Sequence, residues 1–276
     1  MSNKQVVLVV GVGNWGNRLV ERFKFIADVI ACDLDVKKVE AVQKYGILGS
    51  LDARNLEGGI RYVDAVVIAT PPSTHYELAK LALSAGKHTL VEKPLTLDFT
   101  QATELYELAR NKGVTLMTDD TFMYTDFVRD YRSQEVRAMQ ALWTGYRTPD
   151  PSIPEEGILW TLGPHPASLM LHFMQQFPVA ISGQLYANYA NILYRFPGGA
   201  EANIVLSWVT PIRRRSIYLN GTLTDFDSIK QEPDPLTRMC AKFIERCSAA
   251  YFLDRQALDV VDLLQITKMK LTSLQK

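Results

Sequence analysis

Apolar residues in the first half of the chain come in short solid blocks, and between the blocks they fall at helical spacing. Val6–Val10 is the first block, and Leu19, Val20 and Phe23 then share one helical face. Val29-Ile30-Ala31-Cys32 is a second block. Residues 63–69 form a third core strand, ended by Pro71-Pro72. Thr74-His75-Tyr76-Glu77 has the capping-box form, and the helix it opens runs to Gly86, a natural C-terminal cap. His88–Val91 reads as a short strand. Asp98 can cap a helix carrying Ala102, Leu105, Leu108 and Ala109, which stops near Gly113, and residues 114–117 are another strand. This alternation predicts an α/β domain with a parallel sheet covered by helices on both faces.

The second half changes pattern. Residues 136–146 alternate as a strand. Strands are predicted at 179–186, 192–196, 202–208, 213–219 and 223–227, with Pro197-Gly198-Gly199 and Asn220-Gly221 as turn signals. Consecutive strands with short turns predict an antiparallel sheet. Its open face would carry Tyr186, Tyr189, Tyr194 or Trp208, and a half-apolar aromatic face predicts a homo-oligomer. Thr148–Pro154 is a proline-rich loop, a candidate rim for a substrate. Residues 239–249 and 256–274 read as closing helices.

Composition excludes several classes. Lys plus Arg equals Asp plus Glu at 30 each, so no net field draws nucleic acid or an anionic membrane. Arg213-Arg214-Arg215 alternates between sheet faces and makes no basic stripe. The longest apolar runs are strand-length, far short of a bilayer span. A polar N-terminus followed at once by a strand leaves no room for a signal peptide. The three cysteines suggest no disulfide framework: Cys32 reads as a buried strand residue, and Cys240 and Cys247 are two helical turns apart. No cysteines partner the four histidines as metal ligands. The expectation is a cytoplasmic, metal-free protein.

Chemistry enters at Gly11-Val12-Gly13-Asn14-Trp15-Gly16, between the first strand and the first helix. Gly11 makes the sharp turn, Gly13 lets a pyrophosphate approach the backbone, and Gly16 lets the helix pack closely. The helix N-terminus, starting at Asn14 and Trp15, offers free N–H groups to the phosphates. Asp33, about 20 residues past the turn, can grip a ribose 2′-hydroxyl and repel a 2′-phosphate. That favours NAD over NADP, with Lys37 and Lys38 as counterweights. Thr70-Pro71-Pro72 and Glu92-Lys93-Pro94 follow later strands and should lie along the same edge, so Thr70, Pro72 and Glu92 are assigned to the nicotinamide side. His75, in the first turn of its helix, is close to that edge and is counted with them. Lys93 reads either as a lysine that polarises a substrate oxygen or as a solvated turn residue.

GVGNWG, ATPPSTHYELA and GKHTLVEKPLTLD in this order resemble the Gfo/Idh/MocA oxidoreductases. Thr121–Tyr124, Gly157–His165 and Ala202–Trp208 with Thr210-Pro211 extend the resemblance over nearly the whole chain. The LW-x-L-x-PH segment is most similar to nucleotide-sugar 3-dehydrogenases. The resemblance implies a Rossmann domain over 1–121 and, over 122–276, an α/β domain with an open, mostly antiparallel sheet used for oligomer contacts. The final helix would pack back on the Rossmann domain. It implies a sugar-type substrate held between the domains, Lys93 positioning its hydroxyl, His165 accepting the proton, and Tyr124 and Thr161 touching substrate. Two acids common in the family are absent: Thr161 stands four residues before the histidine and Ser168 three after it. Lys93 and His165 could act alone, Asp119 or Asp120 could substitute, or the redox chemistry could be lost, leaving an NAD-binding regulatory or scaffold protein. Beside the oxidoreductase and the regulatory or scaffold protein, NAD-assisted sugar cleavage is a third function class.

Overall fold

Five apolar residues in a row suit a strand buried on both faces, and Val6–Val10 forms such a strand, β1. The computed structural model describes residues 4–131, 135–146, 156–249 and 251–273. After β1 the chain runs α1 (Asn14–Phe23), β2 (Asp28–Asp33), α2 (Val36–Val42), β3 (Gly49–Asp52), α3 (Leu56–Ile60), β4 (Ala65–Ile68), α4 (His75–Ser84), β5 (His88–Glu92), α5 (Phe99–Lys112) and β6 (Leu116–Asp119). The six strands form one parallel sheet in the order β3-β2-β1-β4-β5-β6. All its connections are therefore crossovers, and every strand's carboxyl end lies on one edge.

Three details differ from the sequence reading. The strand at 63–69 is the fourth, because β3 intervenes; its sequence Gly-Ser-Leu-Asp is too polar for the apolar pattern to mark. The strand expected at 114–117 sits two residues later and ends in buried Asp119. Asp98 caps α5 as read, accepting from the Gln101 N–H at 3.0 Å. Thr74 does not cap α4. It lies in a 3₁₀ turn with helical φ and ψ, and its hydroxyl bonds back to the Pro71 carbonyl at 2.7 Å.

Chain continuity leads on through α6 (Asp126–Asp130), β7 (Ala138–Tyr146), α7 (Gly157–Leu162), α8 (Pro164–Met174), β8 (Ala180–Leu185), β9 (Tyr189–Arg195), β10 (Glu201–Ser207), β11 (Val209–Leu219), β12 (Thr222–Asp225), α9 (Pro235–Ser248) and α10 (Arg255–Ser273). The second sheet has the order β12-β11-β7-β10-β9-β8, antiparallel except where β7 meets β10. Asn220 and Gly221 make the two-residue β11–β12 turn, both with positive φ. The loop Thr148–Pro154 lies outside the described residues.

Two units result: 1–124 with 232–258, and 125–231 with 259–276. The expected break between 121 and 122 thus falls three residues later. The segment that returns to the first unit is α9, not the final helix as a whole, since α10 passes into the second unit after Leu258. In the first unit α1 and α9 cover one sheet face, with Phe23 meeting Phe243 edge-on at 6.1 Å and Cys240 and Cys247 buried beside them. In the second unit Ala141, Trp143, Ile192, Tyr194 and Ile204 bury the inner sheet face. Two of the aromatics expected on the open face are on this inner one. Tyr194 is fully buried, its hydroxyl 3.1 Å from Thr267 of α10, and Trp208 is buried too. The open face instead carries half-buried Leu142, Leu193, Val205, Tyr189 and Tyr218, with Asn203 donating to Asn191 at 2.7 Å. Tyr186 is exposed at the β8–β9 hairpin.

Candidate functional site

The glycine turn fills the edge above β1. Gly11 has φ +85°, and a β-carbon there would lie 2.7 Å from the Ala69 carbonyl oxygen. A β-carbon on Gly16 would run into the Gly11 carbonyl oxygen, so the tight contact is with the turn itself more than with the strand. Gly13 faces open space: a β-carbon there meets nothing within 4 Å. Helix α1 starts at once, with no side-chain cap and no acid in its first turn. Its first N–H groups, uncapped by a side chain beside the open space at Gly13, could receive an anion.

Asp33 is stitched to this turn. One carboxylate oxygen accepts the Val12 N–H and the other the Asp35 N–H, both at 2.9 Å. Each oxygen retains a lone pair for a ribose hydroxyl. The Lys38 ammonium lies 3.9 Å away.

At the ends of β4 and β5 the structure brings Thr70, Pro72, His75, Glu92 and Lys93 to the same edge. His75 is fully buried. Its ring nitrogens face the Pro94 carbonyl at 2.8 Å and the Thr70 carbonyl at 2.9 Å. No atom of it is exposed to a cofactor, so the expected direct contact is replaced by a brace joining the two loops. The Lys93–Pro94 peptide is cis. Glu92 keeps one carboxyl oxygen buried without a hydrogen bond among the described residues. Burial pushes its carboxyl up to about 8, opposed by Lys93 and reinforced by Asp119.

Asp119, at the end of β6, is wholly engaged. The Trp15 indole N–H donates to one oxygen at 2.6 Å and the Thr121 hydroxyl to the other at 2.8 Å. Burial pushes this carboxyl up to about 6, with those two bonds pulling the other way. Asp119 is therefore a tether for the glycine turn more than a spare acid. The Tyr124 hydroxyl lies 3.5 Å from Arg246 of α9 and 3.9 Å from the Met117 sulfur, both in the first unit.

In the second unit His165 is the second residue of α8 and is half-buried. Thr161 lies in α7, and its hydroxyl donates to the Gly157 carbonyl at 3.0 Å. Thr161 and His165 thus sit on two successive helices, with a break between them. Pro164 has no N–H to continue the ladder, and Gly163 lies so close to the Leu159 carbonyl that a β-carbon would collide with it. Ser168 is buried. Of the two positions lacking an acid, only Thr161 shares partial exposure with His165. Among the described residues, no group of three or more His, Cys, Asp or Glu side chains could hold a metal. No described helix is long and apolar enough to cross a membrane.

Sequence reasoning missed the Trp15–Asp119 bond. The signal was there in a large aromatic inside a glycine turn, since a buried indole N–H calls for an acceptor.

The chain matches the family described as oxidoreductase, NAD-binding Rossmann fold, over residues 6–120, and the GFO/IDH/MocA C-terminal domain over residues 127–226. It is 33% identical over 124 residues to a dTDP-3,4-didehydro-2,6-dideoxy-alpha-D-glucose 3-reductase of Streptomyces antibioticus, covering 41% of this chain and 38% of that one. It is 33% identical over 108 residues to a UDP-N-acetylglucosamine 3-dehydrogenase of Acidithiobacillus ferrooxidans, covering 39% and 34%. These stretches span well under two thirds of the relatives' length. The solved structure of the latter enzyme, GnnA, superposes with TM-score 0.86 at 20% identity over 99% of both chains. GenD2 of gentamicin A biosynthesis, in complex with NAD, superposes with TM-score 0.83 at 21% identity over 99% of this chain and 95% of that one.

Proposed function

Since the chain belongs to the Gfo/Idh/MocA oxidoreductase family, we propose that it is an NAD-dependent dehydrogenase or reductase acting on a hydroxyl or ketone of a sugar or nucleotide sugar. The observation that carries this reading is the single edge where the open Gly13 cradle, Asp33, Thr70, Pro72, Glu92 and Lys93 gather. Gly13 and the first N–H groups of α1, with Asn14 and Trp15, would hold the pyrophosphate, and Asp33 the adenosine ribose. NAD, when bound, supplies the hydride acceptor. In the oxidation direction, Lys93 holds the reacting hydroxyl and favours its developing negative charge. His165 accepts the hydroxyl proton while the carbon-bound hydrogen leaves as hydride. Thr161 carries no charge at the position where the resemblance implies an acid.

NAD is preferred to NADP in this reading, because Asp33 would meet a 2′-phosphate as a like charge. The half-apolar open sheet face, with Leu142, Leu193, Val205 and Tyr218, is assigned to a second copy of the chain. A cytoplasmic setting belongs to the same reading and rests on three free, buried thiols.

The test is absorbance at the reduced-nicotinamide band, with NAD and a panel of sugars and nucleotide sugars. One substrate class should give signal. Lys93→Met should lower kcat by about 10²–10³, with NAD affinity within about threefold of wild type. Equal loss of turnover and NAD affinity would remove Lys93 from the chemistry. NAD binding with no turnover on any substrate would favour the non-catalytic reading that Thr161 and Ser168 motivate.

A further inference from the structure

Trp15 is the one large side chain inside the glycine turn, lying between Gly13, which faces open space, and Gly16, which admits no β-carbon. It is the second residue of α1, so its main-chain N–H is among those aimed at the phosphates. Two groups hold its ring. The Arg18 guanidinium lies 4.8 Å from the ring centroid. The indole N–H is bonded to the Asp119 carboxylate at 2.6 Å, a short, charge-assisted bond. The carboxylate in turn is fixed by the Thr121 hydroxyl at 2.8 Å. Asp119 is buried beside Glu92, Lys93 and Asp120, with Cys240 and Tyr124 also within electrostatic reach. A buried carboxylate is costly unless its bonds serve something. Here they join β6, separated from β1 by β4 and β5, to the first turn of α1.

We propose that Asp119 is a positioning residue for the cofactor: through the Trp15 indole it fixes the first turn of α1, and thereby the N–H groups that receive the dinucleotide's phosphates. The inference rests on the NAD-binding reading and adds to it a residue that touches no ligand. In the absence of the bond, α1 would still pack through Leu19, Val20 and Phe23, but its first turn would lose the indole anchor to β6. The loss should therefore appear in phosphate affinity before it appears in the fold.

The experiment is a double-mutant cycle. Affinities for NAD, ADP-ribose and AMP are measured by calorimetry on wild type, Asp119→Ala, Trp15→Phe, the double variant and Asp119→Asn. Asp119→Ala and Trp15→Phe should each weaken NAD and ADP-ribose by about fivefold to tenfold, less than the full worth of one charged hydrogen bond because the loss reaches the ligand only through α1. AMP, lacking the pyrophosphate, should lose less. The double variant should be no worse than either single one, because both remove the same bond. Asp119→Asn, which keeps an acceptor oxygen for the indole, should recover most of the affinity. Additive losses, or ADP-ribose affinity unchanged in both single variants, would overturn the inference. If wild type binds NAD and the losses are additive, only the inference falls; if wild type binds no NAD, the cofactor reading falls with it. Should Asp119→Ala fail to fold, the comparison of Trp15→Phe with Asp119→Asn decides: equal losses would overturn the tether.

Discussion

The cofactor edge of the first unit and the α7–α8 segment of the second are built in different ways. At the edge, recognition is a main-chain affair. Gly11, Gly13 and Gly16 matter for the side chains they lack, and Asp33 is held by two backbone N–H groups. In α7–α8, everything rests on what two side chains are. His165 and Thr161 sit on either side of the helix break at Gly163. A main-chain site is hard to alter without altering the fold. A side-chain site can gain or lose chemistry by one substitution while the fold stays the same. Thr161 and His165 belong to the second kind.

The sharpest way to break the comparison is at His165. His165→Asn should lower kcat by about 10²–10⁴, the range for losing a general base, while NAD affinity and melting temperature stay at wild-type values. Thr161→Asp should act in the opposite direction. A carboxylate near the imidazole favours its protonated form, so the acidic limb of the pH–kcat/KM profile should move to higher pH and kcat should rise. An Asn variant with undiminished turnover would move the base elsewhere and leave the second unit without a catalytic role.

The glycines test the other half. Gly16→Ala places a methyl group against the Gly11 carbonyl. It should cost about 3 kcal/mol of stability, as overpacking does, and be visible as a lower melting temperature without any ligand. Gly13→Ala should not, since its backbone, φ −65°, suits alanine and the space is open. It should instead weaken NAD by about tenfold. If Gly13→Ala destabilises the apo-protein as much as Gly16→Ala, the cradle is a packing feature and the main-chain account of the site fails.

Legibility follows the same division. The strand, glycine turn and acid of the first unit were readable because each obeys a local rule: solid apolar block, turn geometry, fixed spacing. The missed strand β3 obeys none, as four residues of an edge strand carry too little apolar signal. The Thr74 pattern misled because a capping box specifies residues but not φ and ψ, and the preceding prolines held Thr74 in a 3₁₀ turn. Tyr194 and Trp208 were assigned to the wrong sheet face because aromatic content does not distinguish an inner face from an outer one; the register does. The roles of Asp119 and Tyr124 were unreadable, since both are set by partners more than 100 residues away, Trp15 and Arg246.

The smallest effect expected comes from a side chain placed inside the main-chain site. The Glu92 carboxyl is pushed up to about 8 by burial, with Lys93 opposing and Asp119 and Asp120 adding to the rise. A carboxyl whose folded value is raised binds its proton more tightly in the folded state than in the unfolded one. Its contribution to stability is therefore complete below its unfolded value, about 4.3, and is lost as pH rises through about 8. Asp119 acts in the same direction over a lower window, fading as pH rises through about 6. Wild-type stability should fall from pH 5 to pH 8.5. Glu92→Gln keeps the shape but has no proton to lose, so its decline should be shallower above pH 6. At pH 8.5 the variant should melt above wild type, and below about pH 4.3 the two should coincide. Parallel melting profiles for the two proteins would mean that Glu92 is solvated or fully compensated by Lys93. The edge would then be one where side-chain charge, as well as main-chain shape, had been accommodated without strain.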